Sequence, residues 1–143
     1  MGYLTQNALA ACDGILSPCP LDALCFASLS QFWTVYLEIS AFIGRGLADK
    51  KYDFVGIFVS KAKLEKDEFS TSNIVKKWLK SSYGDKLWDI TLPESTVVKT
   101  AAATLQTIYD IDDKTEYEKQ SYKRYKEPMD DLVDLIINQF WSE

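Results

Sequence analysis

A chain of 143 residues and 16.3 kDa has room for one domain with its own core. Its 47% hydrophobic and 26% charged residues are the balance of a globular protein rather than a disordered one. The complete absence of histidine excludes a Ser-His-Asp triad, a Cys-His dyad and any His-ligated zinc site, and the net charge of −5 argues, on the sum alone, against nucleic acid.

Thr5 to Ala11 reads as a short helix that Thr5 or Asn7 can cap. The run Gly14-Ile15-Leu16-Ser17 is a brief strand closed by Pro18 and Pro20. From Leu21 to Phe42, Cys25, Leu29, Phe32, Trp33 and Tyr36 recur at helical spacing, and Gly44 and Gly46 end that helix. The stretch Tyr52 to Val59 is almost unbroken in its apolar residues, which suits a strand buried on both faces, as in a parallel sheet. A polar loop from Lys61 to Phe69 follows. Ser70 or Thr71 caps the next helix, whose stripe is Ile74, Val75, Trp78 and Leu79 and whose stop is Gly84. Leu87 to Leu92 is a strand ending at Pro93, followed by an alanine-rich turn of helix. In the long helical tail, Met129, Leu132, Val133, Ile136, Ile137 and Phe140 form an amphipathic stripe, with Pro128 kinking the tail or starting its final helix. Strands alternating with helices predict an α/β fold with a mainly parallel sheet. Three parallel strands make a poor sheet by themselves, so the pattern looks like part of something larger.

Charge and cysteine are unevenly placed. All 16 Lys and Arg lie from Arg45 onward, and the first 44 residues carry only Asp13, Asp22 and Glu38. The longest run without a charge, Ala23 to Leu37, is 15 residues, short of the roughly 20 that a membrane-spanning helix needs. No basic segment followed by an apolar one opens the sequence, so neither secretion nor membrane insertion is expected. Cys12, Cys19 and Cys25 contain no Cys-x-x-Cys and read as reduced, apolar thiols rather than as three ligands of a metal.

The order of motifs resembles one family. Gly2-Tyr3-Leu4-Thr5-x-Asn7-Ala8-Leu9-Ala10-Ala11 resembles the segment after the Asp-x-Pro-Pro switch of ParA-type partition ATPases, relatives of MinD. The likeness continues through Ile15-Leu16-Ser17-Pro18, Gln31-Phe32 and the strand from Asp53 to Ser60. Tyr83-Gly84-Asp85, Leu92 to Thr96 and Gln106-Thr107-Ile108-Tyr109-Asp110 are similar to the larger plasmid RepA/ParA branch, and the last helix around Tyr122 and Trp141 also fits. The resemblance implies the C-terminal part of a P-loop NTPase sheet, with helices on both faces and a long C-terminal helical tail. Residues 1–143 would then be a single but incomplete domain. The family's Gly-x-x-x-x-Gly-Lys-[Ser/Thr] loop and switch aspartates have no counterpart here, and Gly44-Arg45-Gly46 closes a helix instead of opening one, so it is no phosphate cradle.

Two residue groups are singled out. Lys61, Pro93 and Glu94 sit just past predicted strand ends, where open α/β sheets put ligands; the resemblance makes them the adenine side of a nucleotide site, against a plain reading as turn residues. Lys76, Lys77 and Lys80 on one helix, Lys99, and the tail cluster Lys119, Lys123, Arg124 and Lys126 are implied to hold DNA non-specifically, with the tail cluster and Lys99 favoured. Each is equally explained as a solvated lysine with an acid partner, such as Lys123 with Glu127. Tyr117, Tyr122, Tyr125, Phe140 and Trp141 are expected to pack rather than stack on bases, and Asp130, Asp131 and Asp134 to form a hydrophilic face rather than a metal site.

The resemblance thus implies a plasmid or chromosome partition protein of the cytoplasm and nucleoid. Intact members use ATP and magnesium, dimerise, hold non-specific DNA and answer to a centromere-bound ParB/RepB-type partner; tight nucleotide binding is not expected of this chain alone. The alternatives are a non-catalytic DNA- or protein-binding module that modulates a full-length relative, and an unrelated small α/β protein.

Overall fold

The computed structural model describes residues 2–43, 50–63, 69–111 and 116–141. Three strands, β1 (Gly14–Pro20), β2 (Phe54–Ala62) and β3 (Leu87–Pro93), form a parallel sheet in the order β1-β2-β3. Helices α1 (Tyr3–Ala11), α2 (Ala23–Ile43), α3 (Thr71–Tyr83), α4 (Thr96–Ala103) and α5 (Glu116–Trp141) connect and cover it, with one-turn 3-10 helices at Gly84–Lys86 and Ile108–Asp110.

Both faces of β2 are buried, because consecutive residues of a strand point to opposite faces and here both meet helices. Ile57 and Val59 pack with Leu29 of α2 and with Val75 and Leu79 of α3. Phe58, between them, points the other way and packs with Ile90, Leu92 and Leu132 of α5. Ile57, Val59, Val75 and Leu79 are essentially closed to solvent, and each such side chain stabilises the fold by about 1.5–3 kcal/mol. A smaller cluster joins Leu9 of α1, Ile15 of β1 and Tyr36 of α2, and the Tyr52 hydroxyl donates to the Leu9 carbonyl at 2.9 Å.

The parallel three-stranded sheet, the α3 boundaries and the tail helix agree with the sequence reading. Ser70 caps α3 by accepting from the Asn73 N–H, and Gly84 closes it at φ 49°. Several local expectations need correction. Thr5 and Asn7 do not cap α1, which starts at Tyr3 with Gly2 as its N-cap and no side-chain cap bond. Pro18 does not close β1 but lies within it, in register with Phe58; the strand runs on to Pro20, which ends it in register with Ser60. β1 stands at the edge of the sheet, paired with β2 alone, and an edge strand tolerates residues without an N–H.

Lys61 is not the first loop residue but lies inside β2. Pro128 does not start a final helix: α5 runs unbroken for 26 residues around it. The missing N–H costs one helical bond, but the ion pair Lys126–Asp130 spans the proline and Lys123–Glu127 ties the turn before it. The tail stripe also splits. Leu132 is buried and Met129 and Ile136 pack beside it, whereas Val133, Ile137 and Phe140 remain 39–44% exposed. Likewise Ile74 and Trp78 of the α3 stripe stay partly open while Val75 and Leu79 are sealed. Gly44, Arg45, Gly46, most of the loop after Lys61 and the Tyr117 side chain lie outside the described residues.

Candidate functional site

The C-terminal ends of the three parallel strands surround a recess of about 480 Å³. Pro18 and Pro20 of β1, Phe58, Ser60 and Lys61 of β2, and Leu92 and Pro93 of β3 form its floor and near walls. Val98 and Lys99 of α4, and Tyr125 and Met129 of α5, close the far side. The volume lies in the range of small-molecule clefts, and the lining is largely apolar with a few polar groups at the rim, as such clefts usually are.

Lys61 owes its place to a β-bulge. Between Val59 and Ala62, β2 advances three residues while β3 advances two, from Thr91 to Pro93. The extra residue turns Lys61 to φ 49°, a left-handed conformation that costs a non-glycine residue about 1–2 kcal/mol. Beyond the bulge the ladder resumes: Ala62 pairs with Pro93, and the Glu94 N–H donates to the Ala62 carbonyl at 3.0 Å. Ser95 then caps α4 by accepting from the Val98 N–H.

Glu94 and Lys99, assigned to two different roles on sequence, are partners. Lys99 Nζ lies 2.6 Å from Glu94 Oε1. That hydrogen bond and the lysine's charge hold the Glu94 carboxyl below the usual carboxylate range, with the Lys63 and Lys61 charges adding to the effect. Both side chains are open to solvent, so the pair adds little stability and acts as a polar rim.

The structure thus gathers Lys61, Pro93, Glu94 and Lys99 around one recess and leaves the other cations elsewhere. Lys76, Lys77 and Lys80 are exposed along α3, on the sheet face opposite α5. In the tail, Lys119, Lys123 and Arg124 are exposed, but Lys123 reaches Glu127 at 3.6 Å. Lys126 is bonded to Asp130 at 2.6 Å and lies over the Tyr109 ring, whose hydroxyl donates to the same carboxylate at 2.9 Å. The Asp130 hydrogen bond pushes the Lys126 amine up, and Lys126 and Tyr109 hold Asp130 below its ordinary range. Lys126 is therefore a clamp between the Ile108–Asp110 turn and α5.

Sequence reasoning missed the walls of the recess: Pro18 and Pro20, read only as strand ends, and Tyr125 and Met129, which reach it from a helix far along the chain. Ser95 had a legible signal, a cap residue directly before a helical run. Among the described residues no group of three or more His, Cys, Asp or Glu is placed to hold a metal ion. Cys19 is buried at 1% exposure, and burial pushes its thiol up to about 11, which leaves it unreactive. Among the described residues no helix is long and apolar enough to cross a membrane.

No protein-family model matches the chain. A protein named "Putative replication protein A" from Rhizobium rhizogenes is 24% identical to it over 145 residues, covering 99% of this chain and 35% of that relative. The chain spans about a third of the length of the relative it matches.

Proposed function

We propose that this chain is the C-terminal portion of a ParA/RepA-type partition ATPase domain, contributing the adenine side of a nucleotide site and a surface that holds DNA without sequence preference. The observation that carries this reading is the convergence of Lys61, Pro93 and Glu94 on one recess at the C-terminal ends of a parallel sheet, where open α/β folds bind ligands. The strained Lys61 adds support, because a conformation that costs stability persists most often where a site uses it. The likeness to a protein named for replication, over nearly the whole chain, supports a role in plasmid or chromosome maintenance.

The recess fits a flat base better than a phosphate chain. Pro18, Phe58, Leu92, Pro93 and Met129 offer apolar walls to a ring, while Ser60, Lys61 and Glu94 offer polar atoms at its rim. The sequence has no counterpart of such a site's phosphate-binding loop, and among the described residues no group of three or more His, Cys, Asp or Glu gathers to hold a metal, so neither is assigned a step. In a complete site this chain would hold and orient the base and shield it from water. Phosphoryl-group chemistry, dimerisation and stimulation by a ParB/RepB-type partner would rest on residues outside it.

The test is a titration of the chain with adenosine and with ATP, followed by amide NMR shifts. Weak, saturable, millimolar shifts clustered at Ser60, Lys61, Glu94, Ser95 and Lys99 are expected from either ligand. Absence of shifts, or shifts scattered away from the strand ends, overturns the nucleotide assignment.

A further inference from the structure

We propose that the DNA-holding face is the outer surface of α3, formed by Lys76, Lys77 and Lys80, and that the more cationic-looking tail takes no major part. The inference rests on the reading that the chain holds DNA, and it locates that activity.

Helix α3 has the sequence Thr-Ser-Asn-Ile-Val-Lys-Lys-Trp-Leu-Lys-Ser-Ser-Tyr, with three lysines and no acid. Asn73, Lys76, Lys77 and Lys80 recur at helical spacing and border one shallow recess of about 340 Å³. They lie opposite the stripe of Ile74, Val75, Trp78 and Leu79, of which Val75 and Leu79 are pinned in the core at 0% exposure. The lysines therefore project outward from a rigid platform. Among the described residues no carboxylate lies within ion-pair distance of any of the three. Lys76 and Lys80 stand about 6 Å apart along the helix axis, so their long side chains reach neighbouring phosphates of a backbone.

The tail is a different electrostatic object. Helix α5 carries six acids, Glu116, Glu118, Glu127, Asp130, Asp131 and Asp134, against four bases, Lys119, Lys123, Arg124 and Lys126. Two of the four bases are already paired, Lys123 with Glu127 and Lys126 with Asp130, and Lys99 is paired with Glu94. A polyanion docking there would meet as much carboxylate as amine. Its affinity comes from released counterions only where cations are free to replace them. On a protein of net charge −5, α3 is the local exception.

The experiment is fluorescence anisotropy of a labelled random-sequence duplex at several salt concentrations, with the whole chain and two variants. One is Lys76→Gln/Lys77→Gln/Lys80→Gln; the other is Lys119→Gln/Lys123→Gln/Arg124→Gln. The substituted side chains are exposed, and circular dichroism checks that each variant keeps its fold. The α3 variant is expected to lose at least tenfold in affinity at low salt. Its slope of log K against log salt should flatten by about 2–3, as expected for three lost phosphate contacts. The tail variant is expected to stay within about threefold of the parent, and an all-arginine α3 variant to restore binding. If the tail variant carries the loss and the α3 variant binds like the parent, the assignment to α3 falls while DNA holding stands. If the parent does not bind duplex at low salt, the DNA reading itself fails and this inference with it.

Discussion

Lys61 shows how much one residue discloses once its backbone is known. A lysine at φ 49° gains nothing in packing, since its side chain is exposed, and glycine would adopt the same turn without strain. Lys61→Gly is therefore expected to raise stability in urea by about 0.5–1 kcal/mol while weakening adenosine binding, a divergence that a purely structural bulge would not produce. Gly56 makes the opposite case. It sits buried in the central strand, and a Cβ there would lie 2.5 Å from the Trp88 ring. Gly56→Ala should cost about 1–3 kcal/mol in the same assay, because the indole cannot retreat from the α5 side without opening the core. Asp130 supplies a pH signature. Its folded carboxyl binds a proton less readily than its unfolded one, so its contribution is complete above the unfolded value and is lost as pH falls through the folded one. Asp130→Asn should be less stable than the parent near neutrality, with the gap closing below about pH 4 in acid denaturation curves.

At the level of elements, caps and prolines tell the sequence reader different things. Ser70 was legible as a cap because its hydroxyl has one local task, accepting the Asn73 N–H at 3.3 Å. Ser70→Ala is expected to destabilise the chain by about 1 kcal/mol, measured as a lower urea midpoint at unchanged m-value. Pro18 and Pro128 misled because their effect depends on what lies beside them. A proline stops a strand only where the neighbour needs its N–H, and β1 is an edge strand paired on one side alone. A proline breaks a helix only where nothing repays the lost bond, and α5 is tied across Pro128 by the i, i+4 ion pair Lys126–Asp130 and by its packing on the sheet. The apolar stripes of α3 and α5 were visible as stripes, but the half that stays open in each was not. Periodicity marks which side of a helix is apolar and says nothing of how wide its partner is.

For the whole molecule, the proposed role carries a negative prediction. Phosphoryl transfer depends on positioning the phosphates and neutralising their charge, through backbone N–H groups, a lysine and a held metal ion. Residues 1–143 contain no Gly-x-x-x-x-Gly-Lys loop and no histidine, and the recess at the strand ends offers apolar walls with a polar rim of Ser60, Lys61, Ser95 and the Glu94–Lys99 pair. The purified chain is expected to release no phosphate from ATP above a buffer blank, with magnesium and with DNA. Turnover that survives repurification would place an active site within this chain and overturn the proposed role as the adenine side alone.

The alternation of strand and helix, the parallel pairing, the two-sided burial of the Phe54–Val59 run and the apolar stripes of α3 and α5 were determined by the sequence itself. Local hydrophobic periodicity suffices for those, and a strand apolar on both sides leaves only a sandwiched, parallel arrangement. Three things were decided by tertiary structure. The bulge that strains Lys61 arises from a register mismatch between β2 and β3, which neither strand encodes alone. The recess exists because Tyr125 and Met129, more than sixty residues from Lys61 in sequence, fold back over the strand ends. The division of the lysines into paired and unpaired depends on which carboxylates come within a few ångströms. Lys99 and Lys126 are occupied, and among the described residues Lys76, Lys77 and Lys80 meet no carboxylate, because charge interactions fall off over distances that only the fold sets.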